Sequence, residues 1–296
     1  MSRFLTIVTP TYNRGNLLFN CYDSLLKQTS NNFEWLIVDD GSSDNTEEIV
    51  NSFINENIIN IKYIKKINGG KHTALNIAFK KAEGEMLLIL DSDDKLTNDA
   101  VETIIKIWNE NKDIKGLASI SFLRAYSNGE IIGDKFPKDL YLSNYIDCRI
   151  NLGIKGDKSE AYLTNIIKNF SFPEFQGEKF IGEGIVWSKL GRKYKELYVN
   201  KPIYITEYLE GGLTNSGRKL RINCPNGGRL NAEEGMCKEV NLKMRIKYSI
   251  LYSCYSFFAQ KSLKDIFKDN KYKFITLLGV FPGYILFKYW DYKYNN

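Results

Sequence analysis

The chain has 296 residues, 43% of them hydrophobic and 26% charged, which is ordinary for a globular protein of one large domain or one domain with an appendage. Its five scattered cysteines form no C-x-x-C pair and its only histidine is His72, which argues against a disulfide framework, a zinc site or a histidine-rich metal site. The net charge is +6, but residues 241–296 hold ten Lys or Arg against three Asp, so the near-neutral remainder argues against a general nucleic-acid binder.

Strand and helix patterns alternate four times in the first 110 residues. The predicted strands are 3–9, 33–38, 61–65 and 86–90. The predicted helices are about 16–28, one beginning at the N-cap Asp44, 72–82 and 96–109. Such an alternation with short loops specifies a parallel α/β sheet wound by right-handed crossovers.

Polar loops follow all four predicted strands. They span residues 10–14, 39–44, 68–72 and 91–94. Ligands of such sheets bind beyond the carboxyl ends of the strands, so the four loops should meet at one edge and form a site. The last loop, Asp91-Ser92-Asp93-Asp94, holds three carboxylates, and burying even one unpaired carboxylate costs several kcal/mol. Such a cluster usually either lies at an open strand end or holds a cation. Our working hypothesis is that this loop holds a divalent cation on a nucleotide diphosphate, and an oxygen-bound cation would be Mg²⁺ or Mn²⁺.

The alternation ends near residue 115. We predict a hairpin of strands 116–124 and 130–135, a helix at about 182–195 and a strand at 198–207. Residues 136–180 show no regular pattern. Residues 211–229 are rich in Gly, Asn and Arg, which is typical of a mobile loop.

The C-terminal 56 residues have a composition of their own. Two apolar, aromatic-rich stretches, 248–259 and 274–287, flank a charged segment. The second has 14 residues, and a spanning helix needs about 20. Lysines and aromatic residues beside it favour a helix pair lying on a membrane surface. The alternatives are a helical cap on the catalytic domain and a contact with a second subunit, as in a homodimer.

The four loops together resemble those of the family 2 glycosyltransferases of the GT-A fold. The resemblance covers residues 3–110 in order and spacing, through Val8-Thr-Pro-Thr-Tyr-Asn-Arg14, Asp39-Asp-Gly-Ser-Ser-Asp44, Asn68-Gly-Gly and Leu90-Asp-Ser-Asp-Asp94. It implies a Rossmann-like, mostly parallel central sheet flanked by helices, with a C-terminal helical appendage. Residues 1–115 would form the nucleotide-sugar half, 116–240 the acceptor and catalytic-base half, and 241–296 the basic tail.

The resemblance also implies roles for the first three loops. Pro10 and Tyr12 would flank a pyrimidine ring, with Arg14 placed for the base or a phosphate and Asp40 accepting the uracil N3–H. Tyr12 could instead be a packing residue. Lys71 precedes a helix N-terminus, where both the dipole and the ammonium favour a phosphate, although it could equally be a solvated surface lysine.

In the acidic loop, the resemblance makes Asp93 the metal ligand, a role that Asp94 would share or replace. Asp91 and Ser92 would contact the nucleotide sugar. Mg²⁺ or Mn²⁺ would stabilise the negative charge that the departing nucleotide diphosphate gains.

An inverting transfer also needs a base that removes the proton of the acceptor hydroxyl. Alignment with the family places Glu183 at the position of the family's acid, although Gly182-Glu183-Gly184 departs from the usual Glu-Asp pair. Glu178 is the alternative base. Glu183 could instead have a purely structural role, as a charge that stabilises a helix N-terminus. Arg218, Lys219 and Arg221, within 211–229, could close over the pyrophosphate or belong to a disordered basic loop.

These features predict an inverting transfer of a sugar from a nucleotide diphosphate, with UDP favoured, to a hydroxyl of a glycan. The basic tail favours a lipid-linked acceptor at the inner face of a bacterial cell membrane, as in capsule or polysaccharide assembly. The short apolar run at 4–8 predicts no export signal. A non-catalytic scaffold that binds nucleotide sugars is the alternative. A phosphatase of the aspartyl-phosphate type fits less well, because its D-x-D follows the first strand.

Overall fold

The structure is a computed structural model that describes residues 3–206 and 213–295. These residues fall into two compact units. The first contains residues 3–144, 154–171 and 194–206, and the second contains 145–153, 172–193 and 213–295.

The first unit is built on one mixed sheet. Its strands are β1 (Leu5–Thr11), β2 (Phe33–Asp39), β3 (Ile61–Lys65), β4 (Met86–Ile89), β5 (Lys95–Leu96), β6 (Leu117–Ala125), β7 (Tyr141–Ser143), β8 (Lys158–Leu163) and β9 (Lys195–Ile205). They lie in the order β3–β2–β1–β4–β8–β6–β9–β5, and β7 pairs with β9. The first four strands in this order are parallel, as predicted, and β8 is antiparallel to both of its neighbours. The predicted α/β fold class is confirmed.

Helices cover both faces of this sheet. They are α1 (Leu18–Leu26), α2 (Thr46–Glu56), α3 (Lys71–Lys81), α4 (Ala100–Asn111) and α5 (Thr164–Ile167). Apolar residues of α1, α2 and α4 share one core with alternate residues of the strands, for example Leu5 and Ile7. The helix α3 packs against β1 and β2, but its buried residues lie outside that core, which places it on the opposite face.

The second unit is helical in its described residues. After a π-helical turn at Ile146–Asn151 it contains α6 (Gly184–Gly191), α7 (Leu213–Asn223), α8 (Pro225–Glu234), α9 (Leu242–Phe258), α10 (Leu263–Lys268) and α11 (Lys273–Asn295). The helices α9 and α11 run side by side in the same direction, because Gly279 lies against Ser249 and Gly283 against Ser253. Among the described residues, no helix is both long and apolar enough to cross a membrane.

Several sequence predictions need correction. The predicted helix at 16–28 begins with a 3-10 turn, Gly15–Leu17, and its α-helical part is shorter. The second strand of the predicted hairpin is reduced to a single bridge between Ala125 and Ile131. Residues 136–180 contain β7, β8, the π-helical turn and α5 rather than an irregular segment. The predicted mobile loop is wrong for its described part, since residues 213–229 lie largely in α7 and α8; residues 211 and 212 lie outside the described residues.

Candidate active site

The four polar loops meet at one edge of the sheet, as predicted. They follow the carboxyl ends of β1 to β4, which are parallel neighbours. Asn13 joins the first two loops, because its backbone N–H donates to Ser42 Oγ (2.8 Å) and its Oδ1 accepts from the backbone N–H of Ser43 (2.8 Å). The first and fourth loops meet in an ion pair between Arg14 and Asp93.

Asp40 anchors the loop that follows β3. Its buried carboxylate accepts hydrogen bonds from Lys66 Nζ (2.6 Å), Asn68 Nδ2 (2.9 Å) and the backbone N–H groups of Gly69 (2.9 Å) and Gly70 (2.7 Å). A carboxylate offers about four acceptor positions, and the protein fills all of them. Contact between Asp40 and a nucleotide base would therefore require one of these donors to be displaced.

The same loop sets the start of α3. Gly70 has a φ of +98°, a backbone conformation that favours glycine, and Lys71 is the first helical residue. The Asp40 bonds to Gly69 and Gly70 thus fix the point at which Lys71 leaves the loop. Lys71 Nζ lies 2.6 Å from Asp91 Oδ1, so it points into the acidic loop.

Each carboxylate of the acidic loop has a basic partner. Asp91 pairs with Lys71, and Asp93 Oδ2 lies 2.9 Å from Arg14 Nη1. Arg124 Nη1 lies 3.5 Å from Asp94 Oδ2 and 3.6 Å from Asp91 Oδ2. Three acidic and three basic groups from four separate chain segments therefore form one charge cluster.

Burial makes the members of this cluster unequal. The Asp94 side chain is 4% exposed. Burial, followed by repulsion from Asp91, raises the pKa of Asp94 to about 7 despite the opposing effect of Arg124. Burial acts on Asp91 in the same direction, but Lys71 and Arg124 outweigh it and lower the pKa of Asp91 to about 2.

Arg124 and Tyr204 support the acidic loop, although no motif in the sequence points to either residue. Arg124 lies over the Tyr204 ring, with 3.9 Å between Cζ and the ring centroid, and its Nε donates to the Lys158 carbonyl (2.8 Å). The Tyr204 hydroxyl accepts a hydrogen bond from the backbone N–H of Asp91 (2.7 Å). An arginine near the end of the apolar strand β6 was the one signal that could have indicated this role.

The other predicted nucleotide residues differ in accessibility. Tyr12 is 47% exposed just beyond β1, as a side chain that stacks on a base would need to be. Pro10 is buried within β1 and Ser92 is 2% exposed. Of the residues not assigned a role, His72 is buried in α3, and Asp39 accepts bonds from Tyr63 Oη (2.5 Å) and Ser42 N (2.8 Å), which makes it a structural residue of its turn.

The two candidate bases lie in the second unit and have different surroundings. Glu178 is buried, and its carboxylate accepts from the backbone N–H groups of Asn226 and Gly227 and from Asn226 Nδ2, all at 2.8 Å. It therefore caps the N-terminus of α8. Glu183 is the N-cap residue of α6, is only half-buried, and makes no side-chain capping bond to that helix.

The acidic loop offers oxygen ligands for part of the coordination sphere of a metal ion. Within residues 3–206 and 213–295, no group of three or more His, Cys, Asp or Glu is arranged to hold a metal ion by itself. Mg²⁺, however, is commonly held by one or two protein carboxylates together with phosphates. Asp93, with 16% of its side chain exposed, offers a more accessible oxygen donor than Asp94.

The sheet order and the loops at its carboxyl edge, including the acidic loop, agree with the GT-A fold. Residues 6–123 match the model of the family described as Glycosyl transferase family 2. This segment is therefore similar to the family 2 glycosyltransferases, as the sequence resemblance predicted.

Individual proteins are also similar in sequence to part of this chain. Glycosyltransferase GlyG of Streptococcus pneumoniae is 38% identical over 105 residues, which cover 35% of either protein. The hyaluronan synthase of Pasteurella multocida is 39% identical over 110 residues, 37% of this chain and 11% of that one. This chain thus spans about a third or less of these curated relatives.

A solved structure matches the whole fold. The crystal structure of S. aureus TarS 1-349 in complex with UDP-GlcNAc superposes with a TM-score of 0.68, covering 99% of this chain and 92% of that one. The two sequences are 18% identical, so the likeness shows a shared fold.

Proposed function

We propose that the protein is an inverting, metal-dependent glycosyltransferase that transfers a sugar from a UDP-sugar to a hydroxyl of a glycan. The observation that carries the proposal is the charge cluster at the sheet edge, where Arg14 and Lys71 lie beside Asp93 and Asp91. A nucleotide diphosphate requires cationic groups and a metal ligand within reach of one another, and this cluster supplies both. The UDP-GlcNAc bound to TarS supports the choice of donor.

In this proposal the ion pairs within the cluster are replaced by contacts with the nucleotide-sugar donor when it binds. Arg14 and Lys71 turn from their carboxylates to the phosphates, which releases Asp93 for Mg²⁺ or Mn²⁺. The metal would supply positive charge against the charge that develops on the leaving diphosphate. Pro10 and Tyr12 flank the base, and Asp91 with Ser92 contacts the nucleotide sugar.

Glu183 is the proposed base. Its carboxylate lies at the start of α6 and makes no capping hydrogen bond to that helix. The carboxylate of Glu178, in contrast, accepts three hydrogen bonds from the first residues of α8. Removal of the acceptor proton needs a carboxylate, and the resemblance to the family places Glu183 at the position of the family's acid, which favours Glu183.

The acceptor in this proposal is a lipid-linked glycan of bacterial polysaccharide assembly, reached from the inner face of the membrane. The name of the hyaluronan synthase relative supports a glycan acceptor, and the basic, aromatic-rich tail supports the membrane. Contact with a second subunit is the competing role for the tail.

The decisive experiment measures UDP release from UDP-sugars with Mn²⁺ and a panel of glycan acceptors. Asp93→Ala should reduce release by at least about a hundredfold, whereas Asp99→Ala, which removes an acid paired with Lys201 outside the cluster, should leave it nearly unchanged. UDP-sugar binding by calorimetry without turnover on any acceptor would overturn the enzyme proposal and favour a nucleotide-sugar-binding scaffold.

A further inference from the structure

The outward face of α11 is apolar along almost its whole length. Side chains at helical spacing are open to solvent, including Phe274 (93% exposed), Leu277, Leu278, Phe281 (71%), Ile285 and Tyr292 (75%). From Phe274 to Tyr292 the helix rises by about 27 Å. Scattered apolar side chains are normal on a surface, but a continuous stripe of this length marks an interaction site.

The contact between α11 and α9 fixes which face points outward. A Cβ placed on Gly279 would lie 2.3 Å from Ser249 Oγ, and one placed on Gly283 would lie 2.5 Å from Ser253 Cβ. Only glycine allows the helices to approach so closely at these two positions, which are one helical turn apart. Rotation of α11 that would bury its apolar stripe would force larger side chains into this contact.

The charges on the exposed face have one sign. The exposed positions that the structure describes on α11 include Lys273, Lys288 and Lys293 and no carboxylate, and Asp291 is half-buried. Lys288 Nζ lies 5.4 Å from the centroid of Phe287, and Lys293 Nζ lies 5.9 Å from that of Tyr289. Their stems thus cover aromatic surface while the ammonium groups stay in solvent, as lysines do at a membrane interface.

We propose that the outward face of α11 lies in the surface of an anionic lipid bilayer, parallel to its plane. Apolar side chains would enter the boundary between headgroups and acyl chains, and the lysines would contact anionic headgroups. A second copy of the chain fits this face less well, because its exposed charges are lysines and two such faces would repel each other.

The inference specifies the membrane contact invoked in the proposed function, but it does not depend on catalysis. Co-sedimentation with vesicles of phosphatidylcholine, with and without phosphatidylglycerol, tests it without nucleotide or acceptor. We expect binding to the anionic vesicles that weakens with salt, and binding at least about tenfold weaker for Leu278→Ser/Phe281→Ser. The matched control, Ile58→Ser/Leu152→Ser, removes two apolar side chains of similar exposure elsewhere and should bind like the parent.

Two results would overturn the inference. One is equal vesicle binding by the parent and Leu278→Ser/Phe281→Ser, with circular dichroism showing both folded. The other is no vesicle binding together with a dimer, seen by sedimentation equilibrium, that the same double substitution dissociates. UDP release with soluble acceptor and no vesicles reports separately on the proposed function, so either proposal can fail alone.

Discussion

Replacing Asp94 with Asn should stabilise the protein at alkaline pH and not at acidic pH. The folded protein raises the pKa of this carboxyl from an ordinary 3.8 to about 7. Between these values the unfolded chain is ionised while the folded chain holds a proton, so the parent protein loses stability as pH rises from about 4 to about 7. Above about pH 7 the buried Asp94 carboxylate is charged in the folded protein and lowers its stability by the full amount, whereas the neutral amide of Asn does not.

The size of the effect follows from the pKa difference. One pKa unit corresponds to about 1.4 kcal/mol, so the shift from 3.8 to about 7 corresponds to at most about 4 kcal/mol. A gain of 1 kcal/mol raises Tm by roughly 2–4 °C in a domain of this size. We therefore expect Asp94→Asn to melt several degrees above the parent at pH 8 and within about two degrees of it at pH 4.5.

Thermal unfolding monitored by circular dichroism, with EDTA and without nucleotide, measures this directly. Asp99→Asn is a control of opposite sign, because a hydrogen bond from Lys201 lowers the pKa of Asp99 and its loss should cost stability at pH 8. A Tm difference between Asp94→Asn and the parent that is the same at both pH values would refute the argument from burial.

Four further substitutions test other parts of the structure. Asp40→Asn turns one acceptor into a donor facing N–H groups and should lower the free energy of unfolding by about 2–3 kcal/mol in urea titrations. Glu183→Gln should reduce transfer by about 10²–10⁴-fold while calorimetry finds UDP affinity unchanged. Glu178→Gln should instead lower Tm and retain transfer per folded molecule. If Glu178→Gln loses transfer and Glu183→Gln does not, Glu178 is the base and Glu183 is not. Gly283→Leu should cost more than about 2 kcal/mol of stability, because its side chain would meet Ser253.

The meeting of the four polar loops at one edge of the sheet was predictable, because the same strand-and-loop geometry is repeated along the chain. Each of the first four strands is followed at once by its polar loop, and parallel winding alone brings the loops together. The contact between Arg14 and Asp93 joins residues 79 positions apart, yet it follows from this rule. The partners of Asp40 did not follow from it, because they depend on the path of the backbone from Lys66 to Gly70.

The strand β8 was missed because its sequence contradicts its position. Lys158 is only 3% exposed although charged, and its Nζ donates to the carbonyls of Ile132 (3.2 Å) and Asp134 (2.7 Å). Those acceptors come from a distant segment that the strand's own sequence does not reveal. Lys158-Ser-Glu-Ala-Tyr-Leu163 therefore reads as a surface stretch while it lies between β4 and β6.

The helix α8 was missed for a similar reason. Asn226 and the two glycines that follow it are poor helix formers in isolation. Glu178, nearly fifty residues earlier in the chain, accepts the backbone N–H groups at the start of the helix. A cap supplied by tertiary structure thus outweighs the local propensity that favours a loop.

The position of β8 in the sheet has a consequence for folding. On the side away from β1, β4 pairs with β8, through Met86 with Leu163 and Leu88 with Ala161. This edge of β4 therefore stays unpaired until more than seventy further residues have been synthesised. At translation rates of about 5–20 residues per second this is a delay of several seconds, during which an apolar strand edge can pair with another chain. The segment that matches the family model, residues 6–123, ends before β8. The part of the chain that the family model covers is therefore too short to complete the sheet.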